Sequence, residues 1–283
     1  MRAEELRDVG SSGKMDVVLS ALSPARRRLV VALVAAVVTA VLAVTFLVLR
    51  SGSPPVHPAA QDELGPVLLV PGYGGSTTGL DVLAEALAGA GRDASVVALP
   101  GDGRGDLAAQ AAALQAAADD ALARTGAGSV DVIGYSAGGV VARLWVRDDN
   151  GASQARRVIT LGSPHHGTDL AAAAAEIVAS QCPAACQQLA PESDLLRSLN
   201  AGDETPRGPL FVSIRSTSDQ VVPAYSSQLA GATNIVLQAV CPDSRTTHGE
   251  LPVDPLVVAI VELELGRGLP ETPTSADCGR LSS

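Results

Sequence analysis

An α/β class, with a mostly parallel sheet covered by helices on both faces, is predicted here by three observations. Short apolar runs ending in Pro, Gly or Ser recur from residue 66 onward. Stretches with helical periodicity separate them, so strand and helix patterns alternate along the chain. The composition supports one sizeable core, because 47% of residues are hydrophobic and only 18% are charged. Aromatic residues are 2% of the total, so Ala, Val and Leu must fill that core. No internal repeat is evident.

The elements follow in order. PVLLVPG (66–72) is a short apolar run suited to a buried parallel strand. Residues 80–90 have helical spacing, and ASVVALP (94–100) reads as a second strand. Residues 106–124 are Ala-rich with Leu107, Leu114 and Leu122, which predicts a helix. SVDVIGYS (129–136), RRVITLGSP (156–164), LFVSIRS (210–216) and NIVLQAV (234–240) supply further strands. AGGVVARLWVRD (137–148) and residues 254–265 supply further helices. The segment 169–208 lies between the fourth and fifth strands, where a lid or substrate wall would sit.

Ahead of this domain, residues 29–49 form a run of 21 without a charge, preceded by Arg26, Arg27 and Arg28. As a helix the run would span roughly 30 Å, about a bilayer core. The positive-inside rule then predicts a cytoplasmic segment over 1–28 and a transmembrane signal anchor over 29–49. Residues 50–65, rich in Ser, Gly and Pro, would be a linker to an extracytoplasmic domain over 66–283. A long cleaved signal peptide, and hence a secreted protein, is the alternative. His57 lies in the linker and is read as a solvated residue.

Charge excludes one class of partner. The first 50 residues hold seven basic and four acidic side chains, so the remainder carries a net −13. A domain so acidic would be repelled by phosphate backbones, and nucleic-acid binding is not expected. The four cysteines, Cys182, Cys186, Cys241 and Cys278, all follow the apolar run. An even count suits two disulfides in an oxidising compartment. Cys182–Cys186 and Cys241–Cys278 are the favoured pairs, since the first two share a short loop. A zinc site is the rival reading, for which CPAAC alone is weak support.

The chemistry concentrates in Gly134-Tyr135-Ser136-Ala137-Gly138, a G-x-S-x-G pattern between an apolar strand and a helix. Small residues two positions either side of Ser136 let a tight turn close and present its hydroxyl at a helix N-terminus. A nucleophilic serine needs a base and an acid to orient it. Asp219 and His248 follow successive strand patterns, on the sheet edge expected to carry Ser136. His165 and His166 come before the candidate acid and are out of order for the base. Asp243 is a rival acid only five residues before His248. The oxyanion donors would be the N–H groups of Ala137 and of Tyr73, in Pro71-Gly72-Tyr73-Gly74-Gly75.

With these residues in hand, the chain resembles the bacterial secreted lipases and esterases of the compact α/β-hydrolase fold, the class 2 lipases. The resemblance rests on LLVPGYGGS, VDVIGYSAGGVVAR, ITLGSPHHGT, STSDQVVP and TTHGEL, and runs from about residue 66 to 265. One departure is Pro71-Gly72, where many relatives have His-Gly. The resemblance implies hydrolysis of lipid or small esters by a Ser136–Asp219–His248 triad, with no metal or organic cofactor. Thioesterase or acyltransferase activity on cell-envelope lipids is the alternative within enzymes. A catalytically silent binding protein on a hydrolase scaffold is the alternative outside them.

Overall fold

The computed structural model describes residues 23–50, 57–177 and 181–282. Two compact units divide at residue 55. The first contributes one described element, helix α1 (Pro24–Arg50), whose described apolar side chains from Leu29 to Leu42 are exposed. The span expected over 29–49 is not borne out as such: among the described residues no helix is long and apolar enough to cross a membrane. Residues 1–22 of the expected cytoplasmic segment, and 51–56 of the linker, lie outside the described residues.

The second unit carries a six-stranded parallel sheet of order β2-β1-β3-β4-β5-β6. Its strands are β1 (Val67–Val70), β2 (Ala94–Val96), β3 (Val130–Tyr135), β4 (Ala155–Leu161), β5 (Leu210–Arg215) and β6 (Thr233–Val236). Both faces are covered, so β3 and β4 are buried almost throughout rather than alternating, with their charged residues confined to the strand starts. Leu68, Val70, Val130, Val132 and Val158 pack with helices α3 (Leu107–Thr125) and α4 (Ala137–Asp148) on one side. Val67, Leu69, Ile133, Ile159, Val212 and Ile214 pack with α2 (Thr78–Gly89) and α8 (Pro255–Glu264) on the other. Trp145 and Leu114 are fully buried in the first layer, which is aliphatic apart from Trp145 and Phe211.

Local chemistry sets the helix ends. Asp106 caps α3 by accepting from Ala108 N and Ala109 N at 2.8 and 3.1 Å, and Gly126 ends it in the left-handed region. Asp254 caps α8, with Pro255 opening the first turn. Between β4 and β5 the chain forms α5 (Asp169–Ile177), α6 (Ala184–Gln188) and α7 (Asp194–Leu199).

Two strand expectations are shortened. The second strand stops at Val96, ahead of the 97–106 loop with its Pro and glycines. The run expected as a strand over 234–240 leaves the sheet after Val236 and closes one helical turn over Leu237–Val240. Leu237 and Val240, three residues apart, both reach the core from that turn, which a continued strand would not allow.

At the N-terminal edge of the sheet lies a buried charge cluster. Asp131 accepts from Arg156 Nε and Nη2 at 2.8 and 2.6 Å, and from Arg92 Nη2 at 2.6 Å. Arg156 also donates to the carbonyls of Gln61, Leu265 and Gly266, and Arg157 to those of Glu264 and Gly268. The arginines thus tie both ends of the domain to the starts of β3 and β4.

Candidate active site

The site is built at the opposite, C-terminal edge. Ser136 occupies the turn between β3 and α4 with φ 51° and ψ −123°, and is the only non-glycine with positive φ among the described residues. Such a conformation is costly for a side-chain-bearing residue and survives only where the surroundings enforce it. The flanking glycines are what permit it. A Cβ on Gly138 would stand 2.2 Å from the carbonyl oxygen of Val70, and one on Gly134 2.5 Å from Gly139 Cα. The strand, turn and helix are therefore packed backbone to backbone, and Ser136 is presented at the N-terminus of α4.

Asp219 follows β5 and His248 opens a short 3₁₀ turn, His248–Glu250. His248 Nε2 lies 3.0 Å from Ser136 Oγ, and His248 Nδ1 lies 2.7 Å from Asp219 Oδ2. Asp219 Oδ1 accepts from Val221 N and Val222 N at 2.8 and 2.9 Å, so the carboxylate is aimed by its own loop. The Asp219 side chain is almost wholly buried and that of His248 largely so. With Nδ1–H donated to the carboxylate, Nε2 is left as an acceptor facing the serine hydroxyl. The arrangement can take a proton from Ser136 and return it to a leaving group.

The other candidates fall elsewhere. His165 is fully buried with Nε2 3.1 Å from Thr160 Oγ1, and burial, then the Arg143 charge and His166, hold its pKa well below the usual histidine range. It is a core histidine. His166 braces the following loop, pairing through Nε2 with Glu204 Oε1 at 2.8 Å. Asp243 lines a surface groove with Cys241 and Cys278, while His248 Nδ1 is taken by Asp219. All four cysteines are in the disulfides Cys182–Cys186 and Cys241–Cys278, which leaves no thiolate for zinc.

Tyr73 stands on the loop after β1, next to the serine. A Cβ on Gly72 would lie 3.0 Å from Ser136 Cβ, and the Tyr73 side chain lines the same cavity as Ser136. Ala137, directly after the nucleophile candidate, is the first residue of α4. The cavity, about 240 Å³, is walled by Pro164, Leu170, Ala171, Leu189, Val221 and Val222, with Cys186 also on its surface. The 169–208 segment does form a wall of this cavity through α5 and α6; residues 178–180 of it lie outside the described residues.

Three residues around the site escaped the reading of the sequence. Tyr135 donates its hydroxyl to the carbonyl of His248 at 3.2 Å, and its ring lies 5.3 Å from the imidazole, centre to centre. Burial, reinforced by the Asp219 charge, pushes its pKa up to about 12. Glu250 closes a capping box on Thr247, accepting from Thr247 N at 2.8 Å and Thr247 Oγ1 at 2.6 Å. The T-x-x-E spacing was the available signal. Gly162 has φ 54°, and a Cβ there would stand 2.5 Å from Leu251 and within 3.3 Å of both Asp219 Oδ2 and His248 Nδ1. No local pattern marks it, because the need arises from two distant loops meeting.

Comparison with known proteins agrees with this architecture. Residues 121–252 match the family model of the lipases (class 2). The mature lipase BlEst2 of Bacillus licheniformis superposes with a TM-score of 0.52 at 24% identity, over 64% of this chain and 85% of its own. Lipase B of Aspergillus fumigatus superposes with a TM-score of 0.64 at 19% identity, over 81% of this chain and 58% of its own. The propeptide form of BlEst2 gives a TM-score of 0.62 at 22% identity, covering 78% and 54%. The chain thus spans little more than half the length of these last two structures. No match to a curated protein reaches significance. At these identities the likeness is one of fold, and that fold is the α/β hydrolase.

Proposed function

We propose that this chain is a carboxylic ester hydrolase of the lipase and esterase type, acting through a covalent acyl-enzyme. The observation that carries the reading is the line Asp219–His248–Ser136, with contacts of 2.7 and 3.0 Å, opening onto an apolar cavity. Ser136 Oγ attacks the ester carbonyl while His248 Nε2 takes its proton. Asp219 fixes the imidazole tautomer and stabilises the charge it acquires. The N–H groups of Ala137 and Tyr73 receive the oxyanion, and His248 returns the proton to the departing alcohol. Water, activated by the same imidazole, then releases the acid. The apolar lining of the cavity supports an acyl chain as its occupant.

The test is turnover of p-nitrophenyl butyrate and palmitate by the full chain in detergent, beside Ser136→Ala. Activity abolished in a folded variant supports the reading, and equal rates in the two proteins would sink it. Product analysis with an added alcohol or thioester separates hydrolase from acyltransferase and thioesterase. The two disulfides support an extracytoplasmic location. Attachment to a membrane rests on the uncharged run 29–49 and its arginines alone; carbonate extraction of membranes should leave the full chain in the pellet and release one lacking residues 1–50.

A further inference from the structure

We propose that Gln110, on the first turns of α3, is a positioning residue for the oxyanion loop, a reading that rests on Tyr73 N–H serving as one of the two donors. A donor loop must be rigid before the reaction to lower the barrier. Residues 72–75 are Gly-Tyr-Gly-Gly, the most pliable backbone the chain could place there, and Gly74 and Gly75 both have positive φ. One internal bond, Gly75 N to Gly72 O at 3.0 Å, closes the turn. The remaining support comes from the neighbouring 100–106 loop.

That loop lies directly on the donor loop. Gly74 N donates to Gly103 O at 3.4 Å, and a Cβ on Gly103 would stand 2.6 Å from Gly75 N. Arg104 places its guanidinium 5.7 Å from the centre of the Tyr73 ring. The 100–106 loop is itself glycine-rich, and what secures it from inside is the Gln110 amide. Gln110 is 1% exposed, and its Nε2 donates to Gly103 O and Gly105 O, both at 3.2 Å. The carbonyl of Gly103 therefore meets the α3 amide on one side and the donor loop on the other. From the flank, Ala185 N binds Arg104 O, and Gln188 Oε1 accepts from Leu107 N. The chain of contacts runs from a rigid helix, through Gln110 and Gly103, to the residue beside Tyr73.

The experiment compares the full-length protein with Gln110→Met, Gly103→Ala and Ser136→Ala. Each is assayed for p-nitrophenyl butyrate turnover and for its rate of phosphorylation by diethyl p-nitrophenyl phosphate, whose phosphoryl oxygen needs the same donors. Gln110→Met should lower kcat and the phosphorylation rate together by at least tenfold, with KM within twofold and an unchanged circular dichroism spectrum. Gly103→Ala, whose Cβ would meet Gly75 N, displaces the donor loop directly and shows the signature of a shifted loop; if Gln110→Met does not fold, Gln110→Glu, which keeps the shape and removes the Nε2 donor, carries the test. A folded Gln110→Met with wild-type kcat and phosphorylation rate overturns the proposal, as does a rise in KM at constant kcat. Retained activity in Ser136→Ala would instead overturn the underlying triad.

Discussion

His248 Nδ1 lies 2.7 Å from Asp219 Oδ2, while the other Asp219 oxygen is bound by the amides of Val221 and Val222. The carboxylate cannot rotate without breaking those amide contacts, so the imidazole is held in one tautomer. Asp219→Asn keeps the shape but presents an amide that favours the wrong tautomer. We expect kcat to fall by about 10⁴, the scale seen when a triad acid is amidated, with KM little changed. A loss below tenfold in p-nitrophenyl butyrate turnover would remove Asp219 from the mechanism.

Tyr135→Phe removes the hydroxyl that donates to the His248 carbonyl and leaves the ring in place. A hydrogen bond of this kind contributes about 0.5–1.5 kcal/mol net, so kcat should fall roughly two- to tenfold. Because its pKa is pushed up to about 12, the phenol stays protonated and keeps donating through the alkaline range. Ultraviolet titration should show one tyrosine resisting ionisation at pH 10.5 in the wild type and absent from the variant.

Glu264 gives a pH signature unconnected with catalysis. Burial raises its pKa to about 7, above an ordinary value of 4.5, and its Oε2 has no partner among the described residues. The folded state therefore holds a proton that the unfolded state releases. Its stabilising effect is complete below the ordinary value and is lost as pH rises through about 7. Urea midpoints of the wild type should drop between pH 5 and pH 8 by more than those of Glu264→Gln. Parallel profiles would show that the carboxyl is not buried in its charged form.

The two disulfides close loops of very different length, 37 and 4 residues apart. By loop entropy the long one stabilises by roughly 4 kcal/mol and the short one by about 2. Replacing Cys241 and Cys278 by Ala should therefore lower Tm more than replacing Cys182 and Cys186. The second pair should show itself in selectivity instead, since Cys186 lines the cavity. Calorimetry and the butyrate-to-palmitate ratio measure the two effects.

Much of the fold was legible because parallel strands buried on both faces leave continuous apolar runs. The serine turn was equally legible, since its glycines must flank Ser136 in the chain itself. Asp219 and His248 could be placed by order alone, each lying after a strand pattern. What the pattern could not show is where two loops need space, as at Gly162, or where a buried amide meets another loop's carbonyl, as at Gln110. Leu237 to Val240 misled because aliphatic residues suit a strand, while the chain leaves the sheet after Val236 and sends both Leu237 and Val240 into the core from one helical turn. The apolar run at 29–49 is plain in sequence, yet among the described residues no helix is long and apolar enough to cross a membrane.

The Asp131 cluster has a mechanical consequence. Arg156 grips Gln61 near the entrance to the domain and Leu265 and Gly266 near its exit, all at the strand starts, whereas Ser136 sits at a strand end. A pull transmitted along the chain ahead of Gln61 thus meets its clamp at the sheet edge farthest from the reacting hydroxyl. Strain arriving by that route is absorbed by ionic and carbonyl contacts before it can disturb the alignment of Ser136 with His248.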